Sequence, residues 1–339
     1  MRGSGKRTAR FTVTTLAVSV AGAIAAPPAS AHPPCNEALA VCATRAEAAQ
    51  QGVLRDQSEA VTDAIFDRIR DLSRALALGL PPLAASGPGE WATPADPEDP
   101  GAWLDASGSY LSNSSPIGYH GSSVVALTGL DTVIGKRWIA GFSAGYVHSD
   151  LGFRSVASER LSNGAVFGPY GAYIIAPHLS LNGLFNYSRL SNSITTTVPG
   201  PSGSFGSNRL IGAAELDFYA DRGPWKLTGF GGYSYSWEGA ESNLLSTIPP
   251  FSNTIRYGVV KLGGEAGYQI GRVELYVPLK FEYETTTPED GAGRAGVVVG
   301  AGLRCAMTPA VKLGLVATTT QLKTNYQDVI IAGNLRVSF

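Results

Sequence analysis

Charge is scarce in this chain. Lys, Arg, Asp and Glu make up only 16% of its 339 residues, and the formal net charge is −1. That is below the quarter or so usual in globular domains, and a balance near zero gives no electrostatic case for a nucleic-acid partner. Long apolar runs are missing too. Beyond residue 31 none approaches the roughly 18 residues that a membrane-spanning helix needs, which excludes a helical span there. Cysteine is limited to three residues: Cys35 and Cys42 in PPCNEALAVC, and Cys305 alone in an expected strand. No other ligand-type cluster accompanies the pair, so no metal site and no cofactor are expected.

What is present is glycine (41 residues) and a hydrophobic content of 44%. The start of the chain reads as an export signal. Arg2, Lys6, Arg7 and Arg10 precede the apolar, small-residue stretch FTVTTLAVSVAGAIAA, and Ala29-Ser30-Ala31 closes it with an A-x-A pattern. Residues 1–31 are therefore expected to be a signal peptide, cut before His32. Export permits a Cys35–Cys42 disulfide. A helical 35–42 would instead hold the two cysteines two turns apart, too far to bond. Both readings stay open.

Residues 32–80 are expected to form a short helical segment. No proline lies between Pro34 and Pro81, and Val61, Ile65, Ile69, Leu72 and Leu76 keep helical spacing. Asp56, Glu59, Asp63, Asp67, Arg68, Arg70 and Arg74 fill much of the rest. The pattern predicts one long amphipathic helix, or two broken near Gly52. Either is too small to hide a core of its own, so it must pack on something else. Gly79, Pro81 and Pro82 stop it, and the Pro-rich, acidic stretch 81–101 reads as a linker.

Residues 102–339 change period. Twelve strands are expected, at 102–112, 122–134, 136–148, 163–176, 179–191, 207–221, 224–238, 255–270, 272–286, 295–307, 310–323 and 328–339. Short turns such as Gly135-Lys136 and Arg222-Gly223-Pro224 alternate with longer polar loops, 149–162, 190–206 and 239–254 among them. In 272–284, Val273, Leu275, Val277, Leu279, Phe281 and Tyr283 form one row, against Arg272, Glu274, Tyr276, Lys280, Glu282 and Glu284. Trp138, Tyr146, Trp225, Trp237 and Tyr283 lie near strand ends, where an interfacial aromatic girdle would be. A soluble β-sandwich has the same period. Strand length, an even strand number and a final amphipathic strand ending at Phe339 favour a closed transmembrane barrel whose last strand pairs with its first.

With these features in place, the chain resembles the autotransporter β-domain of Gram-negative outer membranes. The likeness is carried by HGSSVVALTGLDTVIGKRWIAGFSAGYVHSDLGF (120–153), with its GxxWxxGFxxGYxxSxxxF pattern, and by NGAVFGPYGAYIIAPHLSLNGLFNYSR (163–189). The terminal LRVSF is similar to the family's assembly signal, carried here by Leu335, Val337 and Phe339. Asn334 stands where that signal usually has glycine, and Gly333 lies one place earlier. The resemblance implies a twelve-stranded antiparallel barrel over 102–339, placed in outer-membrane lipid by the barrel-assembly machinery with periplasmic chaperones. It also implies an N-terminal passenger joined through a helix in the lumen. The passenger here would be very short, without β-helix repeats or an Asn-Asn pair at the barrel entrance.

Catalytic patterns fail on context. GFSAG (141–145) matches G-x-S-x-G, but Ser143 falls mid-strand rather than on a strand-to-helix elbow. GAGRAG (291–296) opens a strand rather than a helix, so it is no dinucleotide loop. His148, Ser149 and Asp150 are consecutive on a strand and point to alternating faces, so they form no triad alone. The chain is not expected to be an enzyme. Glu215, Asp217, Lys226, Lys261, Glu265, Lys280, Glu282, Arg304, Lys312 and Arg336 fall on the inner row. They either keep a wet lumen polar or grip the amphipathic helix. The expected function is an outer-membrane barrel that translocates, anchors or is plugged by its own N-terminal segment. The alternatives are a surface adhesion barrel with an unknown ligand, or a helix-gated, porin-like channel.

Overall fold

A computed structural model describes residues 39–77, 101–115, 118–135, 137–153, 158–196, 203–241, 254–288, 291–308 and 311–338. Side chains are described from Gln50 to Leu76 of the helix and as far as Leu335 of the last strand. One helix, α1 (Leu39–Ala77), precedes twelve strands. These are β1 (Gly101–Asn113), β2 (Tyr119–Ile134), β3 (Trp138–Phe153), β4 (Ser158–Ala176), β5 (Leu179–Thr196) and β6 (Gly203–Arg222) in the first half. The second half holds β7 (Trp225–Ala240), β8 (Thr254–Ile270), β9 (Val273–Glu284), β10 (Ala295–Thr308), β11 (Val311–Gln321) and β12 (Tyr326–Ser338). Each strand pairs antiparallel with its sequence neighbours, and β12 returns to β1, with Gly101 opposite Ser338 and Asn113 opposite Tyr326. The barrel is closed and leaves no unpaired edge in the sheet.

Tight turns lie at one end, which we call the turn end. Gly135, Gly223 and Gly271 adopt φ of 59°, 60° and 58° there. Glycine enters this left-handed region without a Cβ penalty, as tight hairpin turns require. The opposite, loop end differs from the sequence expectation. The polar stretches 149–162 and 190–206 are largely strand, because β3 runs to Phe153, β4 starts at Ser158, β5 runs to Thr196 and β6 starts at Gly203. Serine-, threonine- and asparagine-rich segments can still make a full ladder, as Asn163 opposite Ser191 and Ser193 opposite Ser204 do. The wall is consequently uneven. β6 has 20 residues and β11 has 11, whereas about 9–11 tilted residues suffice to cross a bilayer.

Alternation places side chains as the period predicts. Trp138, Phe142, Tyr146, Leu216, Phe218, Trp225, Leu275, Val277, Leu279 and Phe281 are exposed on the outside of the wall, while the residues between them face inward. Trp138 packs on Tyr173 with ring centroids 4.5 Å apart, and Trp225 on Tyr268 at 4.9 Å.

Helix α1 is continuous through Gly52, so of the two alternatives the single helix holds. A Cβ at Gly52 would lie 2.0 Å from the Tyr119 hydroxyl, and the glycine serves close approach of the wall rather than a kink. The helix touches strands on opposite sides of a closed barrel. Arg68 bonds Asp131 of β2, Arg70 bonds Glu215 of β6, and Lys261 of β8 and Lys280 of β9 both bond Asp63. It therefore lies inside the lumen.

Three inward aromatic rings lie over glycines directly opposite them on the neighbouring strand: Trp103 over Gly129, Tyr170 over Gly141 and Tyr276 over Gly302. A Cβ at Gly302 would fall 2.3 Å from the Tyr276 ring, whereas one at Gly212 would meet nothing within 4 Å. Gly302→Val is expected to destabilise the barrel by about 1–3 kcal/mol through overpacking, while Gly212→Ala stays near neutral. A urea titration followed by the heat-modifiable gel shift of the folded barrel measures both.

Candidate functional site: the helix and the lumen wall

The lumen wall has two kinds of surface. On β2 to β6, Val125, Leu127, Val133, Ile139, Val147, Val166, Leu184, Leu190 and Ile211 turn inward and are buried. They receive the apolar stripe of α1, namely Val61, Ile65, Phe66, Ile69 and Leu72. Burying each large side chain contributes roughly 1.5–3 kcal/mol. This apolar patch was not expected from the sequence, and it is interrupted by buried inward polar residues such as Ser143, Asn182, Asn186 and Ser188. In β2 both rows are apolar for much of their length (Val124, Val125, Leu127, Leu130, Val133, Ile134), so the period alone does not say which row is inside.

Charged contacts with the helix lie on β2 and β6 as well as on β8 and β9. Near the turn end, Arg68 donates two hydrogen bonds to Asp131, at 2.7 and 2.6 Å. The Tyr170 hydroxyl also donates to Asp131 at 2.8 Å and receives the Trp103 indole N–H at 2.7 Å. Arg70 forks onto Glu215 at 2.9 and 3.0 Å and lies over the Phe230 ring. Arg74 pairs with Asp221 at the end of β6. At mid-lumen, Asp63 sits between Lys261 (3.0 Å) and Lys280 (2.9 Å), and Lys280 also reaches Glu282 at 2.7 Å.

Toward the loop end, Arg55 pairs with Glu284 at 2.7 Å, and its guanidinium lies 4.7 Å from the Tyr326 ring centroid. Lys323 shares the Glu284 Oε1 oxygen with Arg55, and the Tyr257 hydroxyl donates to Glu59. Gln57 accepts from Arg209 at 2.7 Å, and Ser109 donates to Asp56 at 2.9 Å. Paired and forked ions of this kind are what make buried charge tolerable in a low-dielectric interior.

Of the inward charges read from the sequence, Glu215, Lys261 and Lys280 bond the helix directly, and Glu282 does so through Lys280. Asp217 is buried, ion-paired with Arg70 of the helix at 3.7 Å and accepting from Asn182 at 2.5 Å and from Tyr219 at 2.9 Å. Lys226, Glu265 and Arg304 form a wall network of their own through Glu274: Arg304 to Glu265 at 2.8 Å, Arg304 to Glu274 at 3.1 Å and Lys226 to Glu274 at 2.8 Å. Lys312 lies on the inward row, half-buried, opposite Arg336 in the β11–β12 ladder. The side chains of Arg336 and Val337 lie outside the described residues, as do Phe339 and Cys35. Cys42 falls within α1, and its side chain is also outside them. Leu335 is half-buried and pairs with Leu104 and Leu313.

Asp131, Trp103, Tyr170 and Arg209 are contacts that strand reading missed. Each is an isolated polar or amphipathic residue in an inner row, and nothing local distinguishes it. Ser143 is fully buried and donates to Asn186 at 3.2 Å and to the Gly168 carbonyl at 3.3 Å. His148 and Asp150 fall on the row opposite buried Ser149, and the three do not converge.

Truncating one partner of a deeply buried pair leaves the other charge without that compensation. Arg68→Ala is expected to cost about 3–5 kcal/mol of helix docking. The double replacement Arg68→Met/Asp131→Leu should recover most of that loss. Hydrogen exchange over the backbone of residues 60–77 measures it.

Comparison with known proteins places this geometry. The sequence matches the family described as autotransporter β-domain over residues 102–318. Among solved structures, it is similar to the β-domain of the Bordetella autotransporter BrkA, with TM-score 0.61 and 18% identity over 71% of this chain and 100% of that one. It is also similar to the translocator domain of NalP from Neisseria meningitidis, with TM-score 0.62 and 14% identity over 84% of this chain and 98% of that one. The transport unit of AIDA-I from Escherichia coli gives TM-score 0.55 and 11% identity over 80% and 98%. At these identities the likeness is one of fold. No curated protein sequence matches the chain.

Proposed function

The chain belongs to the autotransporter β-domain family, and from that premise we propose that its outer-membrane barrel exports the chain's own N-terminal segment and then retains α1 as a plug. Residues 1–31 act as the signal peptide, 32–80 as the exported helical segment, 81–101 as the linker and 102–339 as the translocating barrel. The barrel-assembly machinery inserts it. We assign the barrel no catalytic role.

One observation carries this reading, the direction of α1. Its early residues lie at the loop end, where Val53 clusters with Leu111, Tyr119, Leu151 and Tyr326. Its late residues lie at the turn end, where Arg74 meets Asp221. Tight turns face the periplasm in bacterial barrels, and long connections face outside. The N-terminal end of α1 thus faces the cell's exterior, and its C-terminal end lies at the periplasmic end, where β1 starts. That is the direction expected of a segment that led through the barrel from the periplasm with its N-terminus.

The density of matched charges along α1 supports retention over free gating. Withdrawing the helix would take the helix partner from Asp131, Glu215, Lys261, Lys280 and Glu284 and would wet the apolar patch of the lumen. Each loss is costly on its own.

An epitope tag between Pro34 and Cys35 is expected to be reached by antibody and protease on intact cells. A tag protected until the outer membrane is opened would refute export of this segment. In planar bilayers the full chain should conduct poorly, and deletion of residues 39–77 should open large, stable channels. Equal conductance of the two would refute the plug.

A further inference from the structure

The outside of the turn end carries charge of one sign. Arg137, Arg222 and Arg272 are all exposed there, in three of the tight turns or at the strand end leading into one. Arg222 continues the outward row of β6 after Leu216 and Phe218. Arg272 continues that of β8 after Tyr268 and Ile270. None of the three guanidinium groups has an ion pair or side-chain hydrogen bond among the described residues. His178, exposed in a fourth turn, adds another basic group.

Among the described residues, the acids nearest this rim are engaged elsewhere. Asp221 is taken by Arg74, Asp131 by Arg68, and Glu274 by Lys226 and Arg304. The loop end is different, with exposed Asp150, Glu159 and Glu241 interspersed with Arg189, Arg256 and Arg294.

Directly on the membrane side of two of these arginines are outward aromatic pairs. Arg137 precedes Trp138, which packs on Tyr173, and Arg222 pairs across its turn with Trp225, which packs on Tyr268. Trp138 and Trp225 are 56% and 50% exposed. A cation at the water side of an exposed aromatic ring fits a lipid with a phosphate at the surface and a glycerol–acyl junction just beneath it. Arginine suits that phosphate because its planar fork binds two oxygens at once.

We propose that the turn-end rim is a docking surface for anionic phospholipid headgroups, with Arg137, Arg222 and Arg272 holding the phosphates and the Trp138–Tyr173 and Trp225–Tyr268 pairs seating the chains below. The rim would bind phospholipid of the periplasm-facing leaflet and select anionic over zwitterionic headgroups. It would fix the height and tilt of the barrel independently of whether α1 plugs the lumen.

The test uses the full chain in phosphatidylcholine vesicles containing phosphatidylglycerol, with bromine on the acyl chains of one lipid or the other. Trp91→Phe and Trp237→Phe leave Trp138 and Trp225 as the lipid-facing tryptophans, since Trp103 is buried inside the barrel. At equal bromine content, brominated phosphatidylglycerol is expected to quench more strongly than brominated phosphatidylcholine, reflecting about fivefold enrichment for each engaged arginine. The excess should vanish at high salt, which screens exposed charges, and in Arg137→Gln/Arg222→Gln/Arg272→Gln. Arg222→Gln alone should lower it by the share arising at Trp225, which keeps the test open if the triple variant inserts poorly. Equal quenching by the two lipids, or an excess that survives loss of the arginines, overturns the proposal.

Discussion

Inside a bilayer no water is available to satisfy backbone N–H and C=O groups, and every other feature of this structure follows from that constraint. A sheet meets it only by closing on itself. Pairing of β12 with β1 is therefore the contact on which the barrel depends. Closure then dictates the side-chain pattern. Once the wall is a cylinder, each strand must show one row to lipid and the other to the lumen, and a register slip of one residue would exchange them. The aromatic rings over Gly129, Gly141 and Gly302 lock three strand pairs in register from the inside, where a larger residue would not fit beneath the ring.

A closed twelve-stranded wall leaves a lumen to be filled, and α1 fills it with two kinds of chemistry at once. Its apolar stripe is matched by the apolar patch of β2 to β6. Its charged stripe is matched by acids and bases on β2, β6, β8 and β9. The apolar half supplies adhesion without fixing axial position, because a stripe of Val, Ile and Leu can slide by a turn at modest cost. The ionic half supplies the position. Arg68 on Asp131, Arg70 on Glu215 and Asp63 between two lysines are simultaneously in reach at one setting only. Buried ion pairs add little net stability over apolar substitutes, but they penalise a wrong register heavily. That is the property the proposed retention of α1 would require.

Much of this architecture was legible in the primary structure. The strand period, the tight turns at Gly135, Gly223 and Gly271, and the helical spacing of Val61, Ile65, Ile69 and Leu72 are local properties, set by steric preference and by the two side-chain periodicities. The outward rows of β3, β7 and β9 could be named residue by residue because their two rows differ sharply in polarity. Strand ends were less legible. Polar residues at 158–162 and 203–206 look like loop, since beyond the bilayer neither face must be apolar, yet backbone pairing extends through them.

Sequence by itself determined that the chain alternates with period two over its last two thirds, that an amphipathic helical segment precedes those strands, and that the inner rows carry charge of both signs. Only tertiary structure decided how these parts meet. That Asp131 receives Arg68, that an apolar patch on β2 to β6 receives the helix, and that α1 runs from the loop end to the turn end all depend on residues far apart in the chain. The physical reason is range. Period and turn chemistry act over a few residues, whereas an ion pair across a lumen is fixed by the radius of the barrel, the stagger of its strands and the rotation of the helix, which no local window contains.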